Sequence, residues 1–249
     1  MYHIYNISQR GAVTACIVTK TMKNSDTSSP RSDLALIETI LWENGAYFLP
    51  GLHMDRLERS AHYFASRLAS GSLFPCNRPD IEKKLATLAS HFDPSEKHRV
   101  RLLLKKGGEL DLTSEILNTP DAYPAKIAVS DKRTDRNDIF LPHKTTNRLL
   151  YDRELAKYRA DGFFDVIFLN QDNEVTEGAI TNIMIRKGKD HLTPPLSSGL
   201  LGGVYRQWLL KTGELCLKEK ILYRKDIQNA DKIFVINSVR KMVPAVLAG

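Results

Sequence analysis

Two short stretches of the 249-residue chain hold residue types suited to covalent chemistry. In Leu141-Pro142-His143-Lys144-Thr145-Thr146-Asn147-Arg148, Lys144 stands directly ahead of a segment with helical spacing, at a strand-to-helix turn. A lysine held there, partly desolvated and among other cations, loses its proton readily and becomes a nucleophilic amine, as a Schiff-base lysine must. Taken singly, Lys144 reads as a solvated surface lysine. The second stretch, Asn173-Glu174-Val175-Thr176-Glu177-Gly178-Ala179-Ile180-Thr181-Asn182-Ile183, changes that reading, because Glu177 sits just before a glycine and a new strand, where a carboxylate can point inward.

Other chemistries lack their anchors. The chain has no GxxxxGK[ST], no GxGxxG after a strand, no HExxH and no GxSxG, so P-loop, dinucleotide, zincin and serine-hydrolase readings fall away. His53 and His62 share a helix but sit nine apart with no carboxylate at a matching step, so no metal site is expected. Cys16, Cys76 and Cys216 are odd in number and fit no zinc or CxxC spacing, which points to structural thiols in a reducing compartment. With 36 Lys+Arg against 29 Asp+Glu, the net charge is +7, compatible with an anionic partner, but the cations are interleaved with acids on a mixed surface. No apolar leader follows Met1 and no run of about 18 apolar residues occurs, so a soluble, cytoplasmic protein without membrane contact is expected.

The elements that would position Lys144 and Glu177 follow from periodicity. Lys23 to Asp33 has the composition of a flexible link, with ordered structure expected after it. Leu34–Leu41 and Ala46–Leu49 flank Asn44-Gly45, a hairpin signal. Apolar residues at Leu52, Leu57, Ala61, Phe64 and Leu68 predict a helix over Leu52–Ala69. Arg99–Lys105 alternates, with Val100, Leu102 and Leu104 on one face and Arg101 on the other. Pro120 and Pro124 mark a break, giving an N-terminal α/β domain over 1–119, a linker over 120–124 and a C-terminal α/β domain over 125–249. In the latter, strands are expected at Lys126–Ser130, Phe164–Leu169, Ile180–Ile185, Glu219–Tyr223 and Lys232–Ile236, with helices at Thr146–Ala160 and Gly203–Leu210.

Four separated pieces then agree in order with one family. They are Ile37-Glu38-Thr39 with His53-x-x-Arg56-Leu57-x-x-Ser60, the Lys144 segment, the Glu177 segment, and Leu192-Thr193-Pro194-Pro195 running on to Leu200-Leu201-Gly202-Gly203-Val204-Tyr205-Arg206. Across Asp33 to Pro244 the chain resembles the class IV aminotransferases, the two-domain fold-type IV enzymes that use pyridoxal 5'-phosphate (PLP). The wording around Lys144 and Thr193–Leu201 is most similar to aminodeoxychorismate lyases, especially those fused to aminobenzoate synthase.

The resemblance implies PLP in a cleft between the domains, with Lys144 as its Schiff-base lysine and proton shuttle. Glu177 would pair with the protonated pyridine nitrogen and keep the ring an electron sink. Arg56 would hold the phosphate through a planar guanidinium, and lies at the edge of its helix's core face. Gly203, Val204 and Tyr205 would offer it backbone N–H groups at a helix start, with Gly202 where the family usually has proline. Ser238 and Val239 would reach the phosphate from a second turn, and Asn182 would contact the ring region. Thr39 would assist proton delivery to the leaving group, while Arg101 and Arg240 would meet the substrate carboxylates.

The implied activity is conversion of 4-amino-4-deoxychorismate to 4-aminobenzoate and pyruvate, on the route to folate. A branched-chain or D-amino acid aminotransferase shares the cofactor residues and is the alternative; a basic nucleic-acid-binding module, lacking stacking aromatics, is remote. The resemblance further implies a homodimer and a synthase in the same pathway as a possible partner, with no nucleic acid.

Overall fold

The computed structural model describes residues 34–67, 74–117 and 123–248. The link at 23–33, Cys16, the expected helix end at 68–69 and linker residues 120–122 lie outside them. The described chain forms two compact units: residues 34–117 with Thr145–Asn147, and residues 123–144 with 148–248.

In the first unit, β1 (Ala35–Glu43), β2 (Ala46–Tyr47), β3 (His98–Lys105) and β4 (Leu110–Ile116) make an antiparallel sheet in the order β2-β1-β3-β4. Asn44 and Gly45 both carry positive φ, 52° and 76°, the backbone that a two-residue hairpin turn demands. On β3, Val100, Leu102 and Leu104 are buried and Arg101 is exposed, as the alternation requires. Helix α1 (Pro50–Arg67) buries Met54, Leu57, Ala61 and Phe64 at helical spacing. Helix α2 (Arg78–Ala89), unmarked by the sequence reading, starts where the Asn77 side chain accepts the Asp80 N–H at 3.3 Å. Thr145–Asn147 belong here because Thr146 N–H donates to Ala35 O and Ala35 N–H donates to Thr146 Oγ1, each at 2.9 Å.

The second unit contains β5 (Ala125–Thr134), α3 (Leu149–Ala160), β6 (Asp165–Asn170), β7 (Val175–Gly178), β8 (Asn182–Lys187), β9 (Asp190–Thr193), α4 (Val204–Thr212), β10 (Leu217–Glu219), α5 (Arg224–Gln228), β11 (Lys232–Asn237) and β12 (Lys241–Leu247). Its eight strands run in the order β10-β9-β8-β11-β12-β5-β6-β7, and a further β7–β8 pairing closes β8-β11-β12-β5-β6-β7 into a barrel. Alternation sorts the side chains: Ile167 and Leu169 of β6 join Ile127, Val175, Ile183, Val235 and Val243 in one core, while Val166 and Phe168 pack with Leu155 of α3 in another.

Several boundaries differ from expectation: β2 stops at Tyr47 rather than Leu49, β5 runs on to Thr134 past Ser130, and three further differences have a visible cause. Helix α3 begins at Leu149 rather than Thr146, because Thr145–Asn147 pair with the first unit instead. Strand β8 begins at Asn182, since Ala179–Thr181 turn rather than extend. Only Leu217–Glu219 is strand near the expected Glu219–Tyr223, and Tyr223 caps α5, with Asp226 accepting the Tyr223 N–H at 2.8 Å. Among the described residues no helix is long and apolar enough to cross a membrane. Phe168 is fully buried, so Phe168→Ala is expected to cost about 3–5 kcal/mol, read as a lower urea midpoint.

Candidate active site

Glu177 of β7 and Asn182 of β8 are the register pair that closes the barrel. Both are buried. The Glu177 carboxylate accepts from Tyr151 OH at 3.2 Å and from Asn182 Nδ2 at 3.3 Å. Burial pushes its pKa up to about 7, against the pull of the Leu201 N–H, the Tyr151 hydroxyl, Lys144 and Arg148. Lys144 is half-buried, and its charge is felt at Glu177, so the two residues singled out first from the sequence share one electrostatic environment. Tyr151, given no role from the sequence, makes a tilted ring contact with Phe168, centroids 4.7 Å apart. Burial, and then Glu177, raise its hydroxyl pKa far above the usual value.

The turn between Glu177 and Asn182 is pinned from several sides. Asp165, fully buried, accepts from Thr181 Oγ1 at 2.6 Å, Val166 N–H at 2.8 Å and Ile180 N–H at 3.3 Å. Burial raises its carboxyl to about 6, although all these donors pull the other way. Gly178 is required beside it: a Cβ there would stand 2.3 Å from Asp165 Oδ2. Arg148 donates to Ala179 O at 2.7 Å, and Asn237 Nδ2 donates to Ile180 O at 3.3 Å. Asn237 Oδ1 also accepts the N–H groups of Val239 and Arg240, at 3.0 and 2.8 Å, which ties the turn carrying Ser238 to the turn after Glu177. The Val239 N–H thus closes a local turn, and the buried Ser238 is that turn's candidate phosphate contact. Arg240 lies half-buried with its guanidinium 5.4 Å from the centre of the Phe164 ring.

Helix α4 opens at Val204, with Gly203 as its N-cap in extended backbone. Its first N–H groups, including those of Val204 and Tyr205, lie at the positive end of the helix. Gly203 is packed so closely that a Cβ would fall 2.0 Å from Asn182 Oδ1. Gly202 is braced by Gln207 Nε2, which donates to its carbonyl at 2.7 Å, so the proline absent here has a substitute restraint.

Thr39, Arg56 and Arg101 lie in the first unit. Thr39 and Arg101 are direct register partners on β1 and β3. Arg56 is buried rather than at an edge, held by Glu38 through Nε at 2.8 Å and Nη2 at 2.6 Å. His53 Nδ1 meets the same carboxylate at 2.6 Å. Burial alone would raise the Glu38 pKa, but Arg56 and His53 hold it down to about 2. Neither Glu38 nor Asp165 was assigned a role from the sequence. The signal was present: each is an acid flanked by apolar strand residues, and a buried acid needs partners.

The chain belongs to the class IV aminotransferase family, whose pattern, described as amino-transferase class IV, matches residues 35–247. The aminodeoxychorismate lyase of Bacillus subtilis is 32% identical over 232 residues, covering 85% of this chain and 76% of that one. A Thermotoga maritima protein named a probable branched-chain-amino-acid aminotransferase is 28% identical over 216 residues, covering 84% and 76%. A hypothetical aminotransferase from Mycobacterium tuberculosis, solved in a PLP-bound form, has a TM-score of 0.73 at 19% identity, covering 99% of this chain and 91% of that one, a likeness of fold.

The residues present fit the cofactor. Glu177 is a buried carboxylate that a cationic ring nitrogen would hold charged, Lys144 is near it, and the bare Cα of Gly203 lets Asn182 pack against the start of α4, whose first N–H groups would meet a phosphate.

One consequence is measurable on the apoprotein. Because the folded pKa of Glu177 lies above the ordinary value of 4.5, the native state keeps a proton that the unfolded state has released, and stability falls as pH rises from about 4.5 through 7. Glu177→Gln lacks this loss. Its stability relative to wild type is expected to improve by on the order of 2–3 kcal/mol between pH 4.5 and 8 in urea unfolding; parallel curves would contradict the pKa shift.

Proposed function

We propose that the chain is an aminodeoxychorismate lyase, releasing 4-aminobenzoate and pyruvate from 4-amino-4-deoxychorismate. The observation that carries this reading is Lys144 and Glu177 in one electrostatic environment, in a chain whose similarity to a named lyase reaches 32%.

When bound, PLP supplies an aldehyde for the substrate amine and a ring that draws electrons from the carbon bearing it. Glu177 would pair with the ring nitrogen as a negative charge and so strengthen that pull. Lys144 Nζ would hold the cofactor and, as a free amine, would take the proton from the substrate carbon that bears the amine. The electron pair left behind expels the enolpyruvyl oxygen at the neighbouring position, that C–O bond breaks, and the ring becomes aromatic. Proton delivery to the departing group yields pyruvate, and Thr39 is the hydroxyl assigned to it by family resemblance. The same resemblance gives the phosphate to Arg56, Ser238 and the N–H groups at the start of α4, and the substrate carboxylates to Arg101 and Arg240.

The similarity to a probable branched-chain aminotransferase supports a second reading, amino-group transfer between amino and keto acids. The two separate in a cuvette: an aminotransferase given an amino acid alone converts its cofactor to the pyridoxamine form, whereas the lyase keeps its visible band. A homodimer, also implied by the resemblance, is checked by light scattering.

Purified protein with PLP, chorismate and a glutamine-dependent synthase is expected to form 4-aminobenzoate. Lys144→Ala should lower that rate at least about a hundredfold, the scale of a lost general base, and borohydride should fix PLP to wild type alone. An active Lys144→Ala protein refutes the lysine's role.

A further inference from the structure

Asn182 stands opposite Glu177 across the pair that closes the barrel. Its carboxamide Nδ2 donates to two acceptors, Leu201 O at 2.9 Å and Glu177 Oε2 at 3.3 Å. The Leu201 N–H pulls the Glu177 pKa down, and the Leu201 carbonyl is held by Asn182, so both members of the pair face Leu201. On its other side, Asn182 Oδ1 occupies the space that a Cβ on Gly203 would need. With both amide hydrogens used and the oxygen packed against the residue that opens α4, this buried carboxamide cannot rotate without breaking one of these contacts.

We propose that Asn182 is a positioning residue that couples Glu177 to the start of α4, so that the ring-nitrogen end and the phosphate end of PLP are bound cooperatively rather than independently. The proposal rests on the PLP reading of the site. Glu177 drawn onto a cationic ring nitrogen would hold Leu201 and Gly203 in register for the phosphate, and a bound phosphate would favour the same Glu177 position to the same degree, as linkage requires. A carboxamide serves here where a carboxylate would not, since it donates to Glu177 without repelling it.

The test is a cycle in two factors, the ring partner and the phosphate. Apoprotein is titrated with PLP and with pyridoxal, which lacks the phosphate, following the visible absorbance of the bound vitamin. The ratio of the two affinities is compared among wild type, Glu177→Gln, Asn182→Ala and the double variant. Glu177→Gln is expected to lower the ratio about fivefold or more with Asn182 present and to leave it unchanged with alanine there. An unchanged ratio in Glu177→Gln alone, or an equal drop in both backgrounds, overturns the coupling. A general loosening of the barrel weakens both ligands and cancels in the ratio. Asn182→Ser, too short to span Leu201 O and Glu177, carries the cycle in place of alanine where circular dichroism shows the alanine protein unfolded. Failure of wild type to take up PLP sinks the cofactor reading and the coupling together, whereas normal uptake with an uncoupled cycle removes the coupling alone.

Discussion

A barrel closed by one residue pair constrains everything around it. Strand β7 is four residues long and meets β8 only at Glu177 and Asn182, so the seam has little ladder of its own. It holds because the turn that joins the two strands is satisfied from outside: Asp165 takes the Thr181 hydroxyl and the Ile180 N–H, Arg148 takes one carbonyl, and Asn237 takes another. A buried turn left without those partners would carry several unpaired backbone groups, each costing about 1–3 kcal/mol. The pair proposed to serve the cofactor thus stands where the sheet is weakest in pairing and richest in side-chain support.

Three buried carboxylates show how surroundings set character. Glu38 faces two cationic side chains and is held down to about 2. Asp165 receives only neutral donors, which do not offset burial, and it rises to about 6. Glu177 feels Lys144 and Arg148 less strongly and sits highest, near 7. Direct ion pairs outweigh desolvation; neutral hydrogen bonds and weaker charges do not. Glu38 is thereby a permanent anion that orients Arg56, whereas Glu177 is left responsive to whatever cation arrives.

Where structure follows from local pattern, it was legible in the sequence. The stripe from Leu52 to Phe64 marked α1, Asn44-Gly45 marked the hairpin, and alternation in Arg99–Lys105 separated Arg101 from the core. The misread helix start at Thr146 has a non-local cause, since helical spacing continues through residues whose backbone bonds go to Ala35. Helix α5 was hidden because a five-residue element has no periodicity to detect. At the site, Lys144 and Glu177 were visible by type and position, and most other members only through family resemblance. Asp165 and Asn237 were hidden because their partners, Thr181 and Ile180, are assigned by topology.

Strand β12 is the last in sequence, yet it lies in the middle of the barrel, antiparallel to β11 and parallel to β5, which begins more than a hundred residues earlier. On a ribosome, the second unit therefore cannot shut its ring until residue 247 has left the exit tunnel, and β5 waits through most of the unit's synthesis with one edge unsatisfied. Such a chain is exposed to strand-edge aggregation during its own translation, so its cellular yield should respond to elongation speed and chaperone supply more than its finished stability would suggest.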